Sequence, residues 1–302
     1  MKLPTNFAEL QRGYELGLRE IRVGSAVLPN PEHNRHSEDR ALAMIIPNGE
    51  SGIIAAIDGV GSGGEASAYA AQAVYDRLHQ AFSQSGLPGK PTIEQGASLL
   101  VNATEGAKYD IRLLQKSFLN PSVDAVFAAA VICYDSRKYP HLVVASVGDC
   151  SVFQIIRRNT RYLQLNDHDS LVGAMVNSGK MPPSEAHTDP RRNLVTRTVG
   201  SIRGDQGNNL NRFGLIDPYR MISVYPFPYG EQEIIFLATT DGLTDNVRGL
   251  EDAFHCAIWG NEQSNPRDFT RTLATIARDT MLSPAPHAKP DDVSAAALFV
   301  VP

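Results

Sequence analysis

The 302-residue chain is 42% hydrophobic and 20% charged, with interspersed acids and bases leaving a net charge of −5. That balance supports a sizeable core and gives no basic nucleic-acid surface or polybasic membrane anchor. The longest nearly apolar run, Ala125 to Cys133, is too short to span a bilayer. Cys133, Cys150 and Cys256 include no Cys-x-x-Cys pair and are too scattered for a disulfide framework. With no apolar signal core at the N-terminus, they point to a cytoplasmic protein.

Residues 1–35 are polar and mixed. A short helix is expected over Ala8 to Ile21, broken at Leu28-Pro29-Asn30-Pro31. Ser37-Glu38-Asp39-Arg40 leads into a strand over Ala41 to Ile46, and Pro47-Asn48-Gly49-Glu50 is a turn. Ile53 to Ile57 then pairs back as an antiparallel neighbour. That hairpin sets Glu38 and Asp39, at the start of one strand, beside Asp58 at the end of the other. Asp58 is followed by glycines at 59, 61, 63 and 64.

Helical spacing predicts helices over Glu65 to Phe82 and Thr92 to Phe118. Ala125 to Tyr134 and His141 to Val147 are apolar strands, the second ending in Gly148-Asp149. Ser151 to Arg157 is the next strand. Residues 166–200 have few strand or helix signals and many Pro, Asp, His and Arg, which suits a surface excursion across the mouth of the fold. Residues 203–218 are expected to be loop. Met221 to Tyr225 and Glu233 to Thr239 are strands, the latter running into Thr240-Asp241-Gly242. Helices follow over Leu250 to Trp259 and Pro266 to Met281, and Asp291-Asp292 opens a closing strand, Val293 to Val301. There is no internal repeat and no clean linker. The last strand is expected to complete a sheet begun near residue 40, giving one layered α+β domain over residues 1–302.

Five acidic sites lie at strand edges: Glu38/Asp39, Asp58, Asp149, Asp241 and Asp291/Asp292. An Asp-Gly pair alone is a common turn former. Strand ends on one rim converge, however, and several carboxylates at one point cannot all ionise without a cation. Oxygen ligands without His or Cys suit Mg²⁺, Mn²⁺ or Ca²⁺ rather than zinc. Two such ions ~3.5–4 Å apart can clamp a phosphoryl oxygen for in-line displacement.

Other chemistries fit less well. The residues six after the cysteines are Tyr139, Ile156 and Glu262, so no Cys-(x)5-Arg phosphatase loop exists. There is no Gly-x-Ser-x-Gly elbow and no Gly-x-x-x-x-Gly-Lys-[Ser/Thr] phosphate loop. Gly59, Gly61 and Gly64 match Gly-x-Gly-x-x-Gly, but the acid that a dinucleotide site needs would be Asp76, inside a predicted helix. Asp167-His168-Asp169 reads as a polar loop or a metal site. Arg191, Arg192 and Arg197 read as a solvated face or as contacts to phosphate.

Taken together, the motifs resemble those of the metal-dependent protein serine/threonine phosphatases of the PPM (type 2C) family, in its bacterial form, in order over about residues 35–301. Ser37-Glu38-Asp39-Arg40 resembles the first acidic motif. Ala56-Ile57-Asp58-Gly59-Val60-Gly61 resembles the Asp-Gly-x-Gly motif. Ala145-Ser146-Val147-Gly148-Asp149-Cys150 resembles Val-Gly-Asp-Ser, with Cys150 in place of Ser. The flap is echoed by Asp167-His168, Gly179, Glu185-Ala186, His187, Pro190, Arg192-Asn193 and Thr196-Arg197-Thr198-Val199-Gly200. Leu237 to Leu243 resembles the second Asp-Gly motif, and Lys289-Pro290-Asp291-Asp292-Val293-Ser294 the closing Asp-Asn motif.

The resemblance implies a four-layer αββα sandwich of two antiparallel sheets flanked by helices, with the metals in the cleft between the sheets. It implies that Asp58 bridges two Mn²⁺ or Mg²⁺ ions. Glu38 and the Gly59 carbonyl bind one ion, and Asp241 and Asp291 the other. Asp39 orients water at the metals, and Asp149 with Asp241 holds a third, weaker ion. The implied reaction is direct attack of a metal-bridging hydroxide on phosphoserine or phosphothreonine of a protein substrate, in signalling that opposes a Ser/Thr kinase. A catalytically weak binding module and a phosphometabolite hydrolase are the alternatives on the same fold.

Besides Cys150, three positions depart from the family pattern. Asn34 stands where a phosphate-gripping Arg is usual, leaving Arg35 as the candidate for that contact. Val60 replaces a His found in some members, and Asp292 replaces the commoner Asn.

Overall fold

A computed structural model of the chain describes residues 20–30, 37–46, 50–61, 65–120, 122–186, 189, 191–192, 194–204, 215–227, 232–247, 249–260, 265–283 and 289–301. The strands are β1 (Glu20–Leu28), β2 (Arg40–Ile45), β3 (Gly52–Val60), β4 (Asp124–Tyr134), β5 (Pro140–Val147), β6 (Ser151–Ile156), β7 (Tyr162–Gln164), β8 (Ile222–Pro226), β9 (Ile234–Thr239) and β10 (Val293–Val301). The α-helices are α1 (Glu65–Gln84), α2 (Ile93–Ser117), α3 (Leu171–Asn177), α4 (Pro183–Ala186), α5 (Asp241–Thr244), α6 (Leu250–Trp259) and α7 (Pro266–Met281).

Two five-stranded sheets form, in the orders β1-β10-β9-β6-β7 and β2-β3-β4-β5-β8, and all of their strand pairs are antiparallel. Alternation along β3 shows how the layers arise. Ile53, Ala55 and Ile57 share a core with α1 and α2. Ile54 and Ala56 face the opposite way, into a second core with Phe236, Ala296 and Leu298 of the other sheet. A third core packs that sheet against Phe254 of α6 and Phe269 and Leu273 of α7. The result is a four-layer αββα sandwich, and strands covered on both faces read as unbroken apolar runs.

Local signals place the covering helices. Thr92 and Gln95 form a reciprocal capping box at the start of α2. The Asn265 side chain accepts the Asp268 amide (2.9 Å) at the start of α7, with Pro266 in its first turn.

Three expectations change. The proposed helix over Ala8 to Ile21 falls mostly outside the described residues, and Glu20 and Ile21 belong to β1. That strand pairs over its whole length with β10, from Glu20↔Val301 to Leu28↔Val293. The closing strand therefore lies between β1 and β9, not in the sheet begun near residue 40. The excursion over 166–200 contains α3 and α4. α3 starts because the Ser170 hydroxyl accepts the Gly173 amide (3.0 Å).

Candidate active site

β2 and β3 pair with Arg40 opposite Ile57, which puts Asp39 next to Asp58 on the β2-β3-β4-β5-β8 sheet. The chain crosses to the other sheet at Gly148-Asp149, between β5 and β6. Asp241 follows β9 at the start of α5, and Asp291-Asp292 precedes β10, the neighbour of β9. Strand ends from both sheets thus deliver acids to one rim.

The glycines after Asp58 and Asp241 are required by close approach. A Cβ at Gly59 would lie 2.5 Å from the Ser67 carbonyl oxygen, and one at Gly242 only 1.8 Å from that of Asp292.

Hydrogen bonds sew this rim together. The Thr240 hydroxyl donates to the Asp39 carboxylate (2.8 Å) and accepts the Ser294 amide (3.0 Å), joining the two sheets through one buried side chain. Asp292 accepts the backbone amides of Asn30 and Glu38, so the extra charge at this position fixes the approach to the first acidic motif. The fully buried Asn246 clamps the backbone of Lys289. Its carbonyl accepts the Lys289 amide (2.8 Å), and its amide donates to the Lys289 carbonyl (3.0 Å) and to that of Gly242 (2.9 Å). From this fixed point the Lys289 ammonium reaches Asp241 (2.6 Å) and Asp291 (2.7 Å), with Asp245 at 3.7 Å.

The carboxylates affect one another's protonation. Burial and then the charges of Asp291 and Asp292 push Asp39 well above the usual carboxylate range, while the Thr240 hydroxyl pulls it back. Burial and then Asp39, Asp241 and Asp291 do the same to Asp58. Burial and then Asp241 raise Asp149 to about 8 against the pull of Lys289. Burial and then Asp241 raise Asp291 to about 6. This mutually repelling, all-oxygen donor set, buried or half-buried, fits a hard divalent cation. Among the described residues, however, no three of these side chains are already drawn into one ligand group. Lys289 is the cation that Asp241 and Asp291 grip instead.

Of the predicted site residues, Asp39, Asp58, Asp149, Asp241 and Asp291 lie within electrostatic reach of one another. Gly59 approaches the Glu38 carbonyl closely. Arg35, Asn34, His187, Pro190 and Asn193 fall outside the described residues.

Cys150 lies in the core between the sheets. Burial, then Asp58 and Asp149, push its thiol far up, which leaves it inert. The Asp167-His168-Asp169 stretch is structural. His168 Nε2 sits 2.7 Å from the Ser151 hydroxyl and 2.9 Å from Gln164, and burial lowers its basicity.

Asp169 ties both ends of the excursion to the rim. Its amide donates to the Gly148 carbonyl (2.7 Å), its carbonyl accepts the Thr196 amide (2.6 Å), and its carboxylate pairs with Arg197 (3.2 Å). The Leu171 amide donates to the Leu194 carbonyl (2.7 Å) just beyond. Arg197 is therefore held by Asp169, and Arg191 pairs with Asp189 (2.8 Å).

Sequence reasoning assigned no role to Thr240, Asn246 or Lys289. Each has a partner far along the chain, Thr240 with Asp39, Asn246 with Lys289 and Lys289 with Asp241, at separations of 201, 43 and 48 positions that no local pattern marks.

No protein-family profile matches the chain. Over 112 residues it is 27% identical to Protein phosphatase PhpP of Streptococcus pneumoniae, a match spanning 36% of this chain and 37% of that protein. Structural similarity runs much further. The S. agalactiae serine/threonine phosphatase superposes with a TM-score of 0.69 at 16% identity, covering 93% of this chain and all of the other. The catalytic domain of the serine/threonine protein phosphatase PstP, solved with two manganese ions, superposes with a TM-score of 0.61 at 16% identity, covering 93% of this chain and 99% of that one.

Proposed function

On a fold shared with bacterial PPM-type Ser/Thr phosphatases, we propose that the chain is a metal-dependent protein phosphatase acting on phosphoserine and phosphothreonine. The supporting observation is the cluster of mutually repelling carboxylates Asp39, Asp58, Asp149, Asp241 and Asp291, buried or half-buried on the rim between the sheets.

Glu38, the Gly59 carbonyl and Asp58 would hold one Mn²⁺ or Mg²⁺. Asp58, Asp241 and Asp291 would hold a second, and Asp149 with Asp241 a third, weaker ion. When bound, these ions supply water activation and neutralise charge on the phosphoryl oxygens. Asp39, oriented by the Thr240 hydroxyl, aligns the attacking water. Asp292 holds the Glu38 backbone in place. Val60 carries no proton, so no side chain at that position protonates the leaving group. Arg35 is the residue assigned to the substrate phosphate. The expected partner is a phosphorylated cytoplasmic protein, and by dephosphorylating it the chain would oppose a Ser/Thr kinase.

Hydrolysis of a phosphothreonine peptide with Mn²⁺, and then with excess EDTA, tests this reading. Turnover that EDTA abolishes, and that Asp241→Asn lowers by orders of magnitude, is the expected result. Wild-type rates in Asp241→Asn would refute it.

A further inference from the structure

Lys289 is a charged group that the proposed reaction does not use, and it sits among the acids assigned to the second ion. Its ammonium lies 2.6 Å from Asp241 and 2.7 Å from Asp291. A divalent ion of the Mg²⁺ or Mn²⁺ class needs those same oxygens at about 2.0–2.2 Å, so ammonium and ion cannot share the position.

The placement is built in. The buried Asn246 grips the Lys289 backbone from both sides, and the same side-chain amide bonds the Gly242 carbonyl, next to Asp241. The lysine stem therefore starts from a fixed point beside its partners, with its side chain 15% exposed. Only the side chain is left to move.

We propose that Lys289 is a tethered cation that occupies the Asp241–Asp291 half of the site, so that the second divalent ion binds there only by displacing it. The proposal rests on the phosphatase reading above and adds an order of loading. The ion held by Glu38, the Gly59 carbonyl and Asp58 enters without moving the lysine. The ion shared by Asp58, Asp241 and Asp291 competes with it. The ammonium carries one positive charge where the ion carries two, so it holds the two carboxylates together without completing their neutralisation. The consequence is a protein whose second ion binds weakly and whose activity tracks free metal concentration.

Mn²⁺ binding by equilibrium dialysis, compared across wild type, Lys289→Met and Lys289→Arg, tests the competition. Removing the charge while keeping the chain length is expected to tighten the second Mn²⁺ by tenfold or more, leaving the first unchanged. Lys289→Arg is expected to keep the second ion weak. A second measurement needs no variant. Amine acetylation of the wild type, read at Lys289 by mass spectrometry, is expected to speed up at the Mn²⁺ concentrations that load the second ion.

Equal second-ion affinity in wild type and Lys289→Met would overturn the proposal while leaving the phosphatase reading intact, as would Lys289 labelling unchanged by the second ion. No Mn²⁺ binding by any of the three proteins would overturn both.

Discussion

Thr240 shows how much depends on one hydroxyl at this rim. It gives its proton to Asp39 on one sheet and takes the Ser294 amide on the other, fully out of water. Thr240→Val keeps the shape but strands a buried amide, which costs about 1–3 kcal/mol. Urea unfolding of the metal-free protein should show that loss, with activity falling further because Asp39 is no longer oriented. The acids themselves were legible in the sequence, because each follows or precedes a strand-length apolar run. The residues that hold them were not. Thr240, Asn246 and Lys289 each tie one part of the rim to another far along the chain, and an uncharged threonine or asparagine beside a turn carries no distinguishing pattern.

At the level of elements, the closeness of α5 to the start of β10 sets the geometry of the second half of the site. Gly242→Ala places a methyl group 1.8 Å from the Asp292 carbonyl oxygen, and the backbone must move apart. About 3 kcal/mol of destabilisation is expected, visible in thermal unfolding, together with weakened Mn²⁺ binding, because Asp241 and Asp291 are pushed apart. The long elements were readable from period and length. β3, for instance, announces itself as an apolar run, and α2 by its helical spacing. β1 was not legible as a strand, because its polar neighbours dilute the alternation of Ile21, Val23 and Val27, and only pairing with β10 makes it one. α3 and α4 are too short for periodicity to show, and the Ser170 cap is a single local contact.

Across the whole molecule, the second core and the rim acids link the same two sheets, one by attraction and the other by repulsion. This supports reading residues 1–302 as one domain, which we propose. The repulsion sets a pH dependence. Asp149 rises from its ordinary value of 3.8 to about 8 in the folded chain, and Asp39 and Asp58 also rise well above theirs. Between those values the folded state binds more protons than the unfolded state, so stability falls as pH rises. His168, whose basicity is lowered, works in the opposite direction only below about pH 6.5. Without divalent ions the melting temperature is therefore expected to drop between about pH 6.5 and 8, and saturating Mn²⁺ to flatten the drop by replacing the missing protons. A metal-free melting temperature constant over that range would contradict the electrostatic account.

The pinning of the excursion by Asp169 has a different kind of consequence. Asp169 fastens one end of the segment to the Gly148 turn and holds the other end through Thr196 and Arg197. Lengthening a loop closed in this way costs little, about 0.6 kcal/mol for each doubling. The length of chain between Leu171 and Leu194 can therefore change at little cost to the Gly148 turn, which carries Asp149.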